Sequence, residues 1–159
     1  MVIPKDDYYK DINSNTPLPP LNKHQIQKYF GECSQSLIKG KSLYENRYLL
    51  ILRAVSINDF TYIKGFCKAA VKKTQYEVNI ILQSEFPGIA IVFYCCRDHR
   101  CSRGARRIKL YKNRILEETN CECTAGSGVN SQCKHVATVL FGTVDMIEHK
   151  TVVLEEVST

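Results

Sequence analysis

Four potential metal ligands that lie close together constrain this chain more than any other feature of its sequence. Cys121 and Cys123 are separated by one residue, and Cys133 and His135, which follow after nine residues, repeat that spacing. Structural sites bind Zn²⁺ through four thiolate or imidazole ligands arranged as a tetrahedron. A closed set of three cysteines and one histidine leaves no position for substrate or water. We therefore predict a Zn²⁺ ion that supports the fold and takes no part in catalysis.

The spacing of these ligands also predicts local structure. Residues two apart share one face of a strand, so Cys121 and Cys123 can both face the metal. The turn-forming residues of 124–131 let the chain fold back, and Ser131 stands at the expected N-cap of a helix. Apolar residues at helical spacing predict that helix over about 132–147. Because residues two apart on a helix point in nearly opposite directions, we expect Cys133 at its capping end.

The sequence here resembles a known family. Cys-Glu-Cys-Thr-Ala-Gly at 121–126, followed by Cys-Lys-His-Val-Ala at 133–137, is similar to the SWIM-type zinc finger. Residues 39–46, 63–66 and 76–82 resemble, more loosely, the segment before this finger in transposon- and virus-related proteins that also carry a YqaJ-like nuclease domain. The resemblance implies a zinc module in nucleic-acid transactions. That nuclease would need its own sheet and carboxylate cluster beyond the finger, and we expect none in this sequence.

The remainder of the chain predicts an α+β fold. Asn22 and Gln25 form a capping-box pattern before a helix over 23–30, and the prolines within 16–20 indicate an extended lead-in. Strand-like runs occupy 48–52, 61–66, 76–82, 89–94, 107–111 and 114–121. We therefore expect an antiparallel β meander with a short N-terminal helix and a C-terminal, zinc-anchored ββα-like finger helix. The expected regions are a loosely held lead-in (1–20), a mostly β region (21–118), the finger (119–148) and a tail (149–159).

A basic strip, defined as residues 97–114, carries eight basic residues and one acidic residue in a chain whose net charge is +6. Arginine binds phosphate through planar paired donors, and each neutralised phosphate releases counterions. The strip therefore favours contact with a nucleic-acid backbone, although such runs also occur as solvated loops. The residues that we expect to make this contact are Arg97, Arg100, Arg103, Arg106, Arg107 and Lys109.

A second group of potential ligands comprises Cys95, Cys96, His99 and Cys101. Adjacent cysteines in a strand point to opposite faces, so a single tetrahedron is hard to close here. The alternative is that Cys95 or Cys96 is a small buried apolar residue and the rest is loop. Cys33 and Cys67 lack partners nearby in sequence, and we expect core or half-exposed thiols.

Composition and motifs narrow the classes of function. The N-terminus lacks the pattern of a signal peptide, which disfavours a disulfide framework and predicts an intracellular location, the nucleus included. No run approaches the roughly 20 apolar residues of a membrane span, so we expect no membrane partner. Phosphate-binding loops and hydrolase motifs are missing from the sequence, and we predict a protein that is not an enzyme. Two functions remain: nucleic-acid binding, or a protein-interaction adaptor, since SWIM-like fingers occur in recombination accessory proteins and ubiquitin-ligase components.

Overall fold

The structure is a computed structural model that describes residues 4–31, 34–69, 74–83, 91–95, 120–121, 123 and 132–156. For 83, 91–95, 120 and 121 the description covers the backbone alone. In chain order the elements are a 3-10 turn (Asp6–Tyr8), β1 (Lys10–Asp11), α1 (Lys23–Phe30), α2 (Gln35–Glu45), β2 (Leu49–Ile57), β3 (Phe60–Lys68), β4 (Gln75–Gln83), β5 (Ile91–Cys95), β6 (Asn120–Cys121) and α3 (Lys134–His149).

Within these residues the strands form one sheet in the order β1 to β6. Neighbouring strands from β1 to β5 are antiparallel, and the short β6 runs parallel to β5. The predicted α+β class and the antiparallel meander are therefore confirmed, with β2 to β5 at the strand-like runs from 48 to 94. The run at 107–111 and most of 114–121 lie outside the described residues.

The first helix has the boundaries that its capping pattern predicts. The Asn22 side chain accepts a hydrogen bond from the Gln25 backbone at 3.0 Å, and the Gln25 side chain accepts one from the Asn22 backbone at 3.0 Å. The second helix, α2, was not predicted, because Gly40 in its middle lowers the helix propensity and its apolar residues form only a weak stripe. Ser34 caps α2 by accepting a hydrogen bond from Leu37 N–H at 3.3 Å.

The third helix lies between α2 and the sheet. Residues 135–140 are all buried, which is typical of a helix that has neighbours on every side. Glycines allow the close approach: a Cβ at Gly65 of β3 would lie 2.5 Å from Cγ2 of Val139. On the opposite side of α3, a Cβ at Gly40 would lie 2.3 Å from Cβ of Ala137. No helix among the described residues is long and apolar enough to cross a membrane.

Within the lead-in (1–20), which we expected to be loosely held, residues 9–12 are instead packed on the sheet. β1 pairs with β2, with Lys10 opposite Ala54, and Tyr9 is only 8% exposed. On the face of the sheet away from α3, the buried Lys64 ammonium contacts Asp6 and lies 4.8 Å from the centre of the Tyr9 ring. A buried charge requires partners that are close in space, and here they come from residues distant in sequence.

The C-terminal segment, residues 150–156, is also packed against the rest of the fold, through Tyr44 of α2. The Tyr44 hydroxyl donates a hydrogen bond to Asp145 Oδ2 at 2.7 Å and accepts one from Val153 N–H at 2.9 Å. Farther along, Glu155 N–H donates to the Leu49 carbonyl at 2.9 Å. Burial raises the pKa of Tyr44 above its ordinary value, so its hydroxyl keeps its proton and remains a donor at alkaline pH as well. Tyr44 thus joins α2, α3 and the C-terminal segment.

We expect Tyr44→Phe to lower the free energy of unfolding by about 1–3 kcal/mol, because Val153 N–H and Asp145 each lose a partner in a partly buried position. Urea denaturation followed by circular dichroism measures this difference. Tyr8→Phe is the matched control, since Tyr8 is 62% exposed. Equal denaturation midpoints for the two variants would contradict the role assigned to Tyr44.

Candidate metal centre

The N-terminus of α3 positions two of the expected ligands. Cys133 is the N-cap, with extended backbone angles (φ −85°, ψ 156°), and its Sγ accepts a hydrogen bond from Val136 N–H at 3.5 Å. The expectation that Cys133 lies at the capping end is confirmed, whereas the expectation that Ser131 is the N-cap is wrong. The helix begins later, at Lys134. His135 then belongs to its first turn.

Three of the four predicted ligands come together at this end of α3. One ligand atom each from Cys123, Cys133 and His135 lies within 4.8 Å of the other two. The residues are 6%, 2% and 3% exposed, respectively. Zinc bonds of about 2.1–2.3 Å place tetrahedral ligand atoms a little under about 4 Å apart. One ion could therefore join these three residues after a small contraction.

An unpaired nitrogen provides a further test of whether a metal fits. Nδ1 of His135 is buried and has no hydrogen-bond partner in the described part of the chain. Leaving a buried polar atom unsatisfied costs about 1–3 kcal/mol. A bond to a metal would satisfy that nitrogen, and thiolates with imidazole are a donor set that suits zinc. The residues present therefore fit a zinc ion.

Cys121, the fourth expected ligand, is described by its backbone. It lies in β6 opposite Cys95 of β5, and Cys95 lies opposite Val78 of β4. Val78 in turn pairs with Gly65, the β3 residue that α3 approaches closely. Gly65, Val78, Cys95 and Cys121 therefore lie side by side across the four strands β3 to β6. Gly65, at one end of this row, is the residue that α3 approaches.

Two residues of the sheet contact His135, one at its backbone and one at its ring. Cys67 of β3 and Tyr76 of β4 are register partners. The Cys67 thiol donates a hydrogen bond to the His135 carbonyl at 3.7 Å. The Tyr76 ring stacks on the imidazole, with 4.5 Å between ring centres and 34° between planes. Burial raises the pKa of Cys67, so it remains a neutral thiol and serves as a donor.

Sequence reasoning predicted the three residues that lie together here but missed Tyr76 and the specific role of Cys67. Cys67 was expected to be a core or half-exposed thiol, and it is fully buried. Neither residue has a ligand-like spacing relative to the four expected ligands, because only the register of β3 and β4 brings them to His135. The hydrophobic alternation of these strands is the signal that could have suggested an inward position.

The other predicted sites lie outside the described side chains. This holds for the whole basic strip, including Arg97, Arg100, Arg103, Arg106, Arg107 and Lys109. In the second group of potential ligands, Cys96, His99 and Cys101 are outside the described residues, and Cys95 is described by its backbone in β5. The structure therefore bears on the first metal site alone.

Comparison of the chain with models of protein families, with curated proteins and with solved structures found no match. Interpretation of the centre therefore depends on its own geometry and on the sequence.

Proposed function

We propose that this chain is a non-catalytic zinc module of the SWIM type, in which Zn²⁺ is held by Cys121, Cys123, Cys133 and His135. The observation that carries the proposal is the buried cluster of Cys123, Cys133 and His135, whose ligand atoms lie within 4.8 Å of one another. The register of β6 supports Cys121 as the fourth ligand. Four such ligands complete a tetrahedron and leave no position for a substrate.

The physical role of the metal is to fix the first turn of α3. That helix has ten buried residues and is the central element between α2 and the sheet. Cys121 ends the last described strand, so a shared ion would tie this strand to the start of α3. We infer that metal binding contributes directly to the stability of the C-terminal part of the fold.

The partner that we propose is a nucleic acid, bound through its phosphate backbone. The basic strip carries eight basic residues against one acidic residue, and outside it fourteen basic residues face fifteen acidic ones. The positive charge of the chain is thus concentrated in one segment, next in sequence to the zinc finger. Concentrated arginine favours phosphate binding, and the transposon-related resemblance supports the same partner.

We expect the double variant Arg106→Ser/Arg107→Ser to bind duplex DNA or RNA more weakly and with less dependence on salt. Loss of two phosphate contacts lowers the slope of log K against log salt by about 1.8 on duplex DNA. Fluorescence anisotropy with a labelled duplex, over a series of salt concentrations, measures the slope. Zinc content is measured in parallel, to show that the finger is intact.

The matched control is Lys39→Ser/Lys41→Ser, which removes the same charge from exposed positions of α2. The control should retain the slope of the original chain. If both double variants behave alike, binding depends on overall charge and the strip has no specific role. If the original chain shows no salt-dependent binding to DNA or RNA, nucleic-acid binding is excluded. The alternative, a protein-interaction adaptor, then predicts a stable complex with a partner protein in nuclease-treated extract.

A further inference from the structure

The imidazole of His135 has two nitrogens, and either could bind a metal. Nδ1 is the one that is both buried and without a hydrogen-bond partner among the described residues. If Nε2 bound the metal, Nδ1 would stay unsatisfied inside the protein, which is costly. If Nδ1 binds the metal, the same atom is satisfied and no orphan remains. The unpartnered Nδ1 of His135, a residue that is only 3% exposed, therefore favours binding through Nδ1.

A ligand ring needs a support that fixes its plane. Rotation of the imidazole out of that plane would turn Nδ1 away from a bound ion. The Tyr76 ring packs against one face of the imidazole at 4.5 Å between ring centres, a distance typical of stacked aromatic pairs. The backbone of His135 is fixed independently, by the hydrogen bond from Cys67 to its carbonyl. Both supports come from the sheet.

We propose that His135 binds the metal through Nδ1, and that Tyr76 is the positioning residue that holds the ring in this orientation. The inference rests on the proposed zinc centre and deepens it. Groups around a metal site that orient a ligand typically change metal affinity by about 10- to 100-fold when they are removed. Because the contact between Tyr76 and the imidazole is a stacking contact, its contribution should fall at the lower end of that range.

The first test is nuclear magnetic resonance of the zinc-loaded chain labelled with ¹⁵N at histidine. Long-range proton–nitrogen correlations distinguish a ring that binds through Nδ1, and is protonated at Nε2, from the reverse arrangement. We expect the His135 signals to show zinc at Nδ1. Zinc at Nε2 would overturn the inference while leaving the zinc centre in place. A folded chain whose histidine signals do not change with zinc would overturn both.

The second test compares Tyr76→Leu with Tyr76→Phe. We expect zinc affinity, measured by competition with a chromophoric chelator, to fall about tenfold in Tyr76→Leu. It should stay close to the original value in Tyr76→Phe, which keeps the stacked ring. The visible absorption of the Co²⁺-substituted protein should change in the leucine variant alone, because it reports the ligand geometry directly.

Tyr62→Leu is the matched control for general loss of stability. Tyr62 is 8% exposed and belongs to a separate apolar cluster with Tyr9 and Ile81. This variant should unfold more easily but bind zinc and Co²⁺ as the original chain does. If Tyr62→Leu and Tyr76→Leu weaken zinc binding equally, or if Tyr76→Leu binds normally, Tyr76 has no positioning role. The Nδ1 assignment is tested separately, on the unmutated chain.

Discussion

Cys133→Ala is expected to lose bound zinc and to unfold the protein around α3. Structural zinc in small fingers provides about 10–16 kcal/mol of apparent binding free energy at neutral pH. That is comparable with or larger than the whole stability of a typical domain, about 5–15 kcal/mol. Limited digestion with chymotrypsin measures the outcome, because Leu140 and Phe141 lie in the middle of α3 and Leu140 is fully buried. We expect rapid cleavage there in the variant and slow cleavage in the original chain.

Two further variants separate the metal from other effects. Cys133 is also the N-cap of α3, and loss of a cap alone costs only about 0.5–2 kcal/mol. His135→Ala removes a ligand that is no cap, so it should be cleaved as rapidly as Cys133→Ala. Cys33→Ala removes a cysteine outside the ligand set and far from it in sequence, and it should keep zinc and resist cleavage. Equal resistance of all three variants would count against the metal centre.

Gly40→Ala is expected to destabilise the protein, although alanine is the better helix former. Helix propensity alone would make the substitution stabilising by about 0.5–1 kcal/mol. The added Cβ, however, would lie 2.3 Å from Cβ of Ala137 and 2.7 Å from the backbone oxygen of Lys134. A backbone atom moves aside only if the helix shifts with it, and overpacking of this kind costs about 1–3 kcal/mol or more. Thermal and urea unfolding give the sign directly.

The same substitution should weaken zinc binding, because Lys134 stands between Cys133 and His135 and the clash moves the first turn of α3. Lys39→Ala, at the neighbouring exposed position of α2, is the control and should change stability by no more than about 0.5 kcal/mol. A more stable Gly40→Ala protein would mean that α2 and α3 are not packed as closely as described. Unchanged zinc affinity in a destabilised variant would uncouple the packing from the metal centre.

Local signals predicted the parts of the fold that depend on neighbouring residues. The capping box of Asn22 and Gln25 gave α1 its boundaries, and strand periodicity located β2 to β5. The spacing of Cys121, Cys123, Cys133 and His135 predicted the ligand set. Three of these four residues lie together. In each case the physical cause lies within a few residues of its effect.

Interactions between distant residues were not predicted from the sequence. Gly40 lowers the helix propensity of α2, yet the helix forms because packing against α3 favours a residue without a side chain. The lead-in is ordered by β1 and by Asp6, whose partner Lys64 is far along the chain. Tyr76 reaches His135 only through the register of the sheet.

The most direct test of the account is the zinc content of the chain, purified without added metal and measured by elemental analysis. We predict one zinc per chain, lost in Cys133→Ala and kept in Cys33→Ala. A folded chain that contains no zinc, and takes up none when zinc is supplied, would contradict the central claim. Two zinc ions per chain would place a second site at Cys95, Cys96, His99 and Cys101.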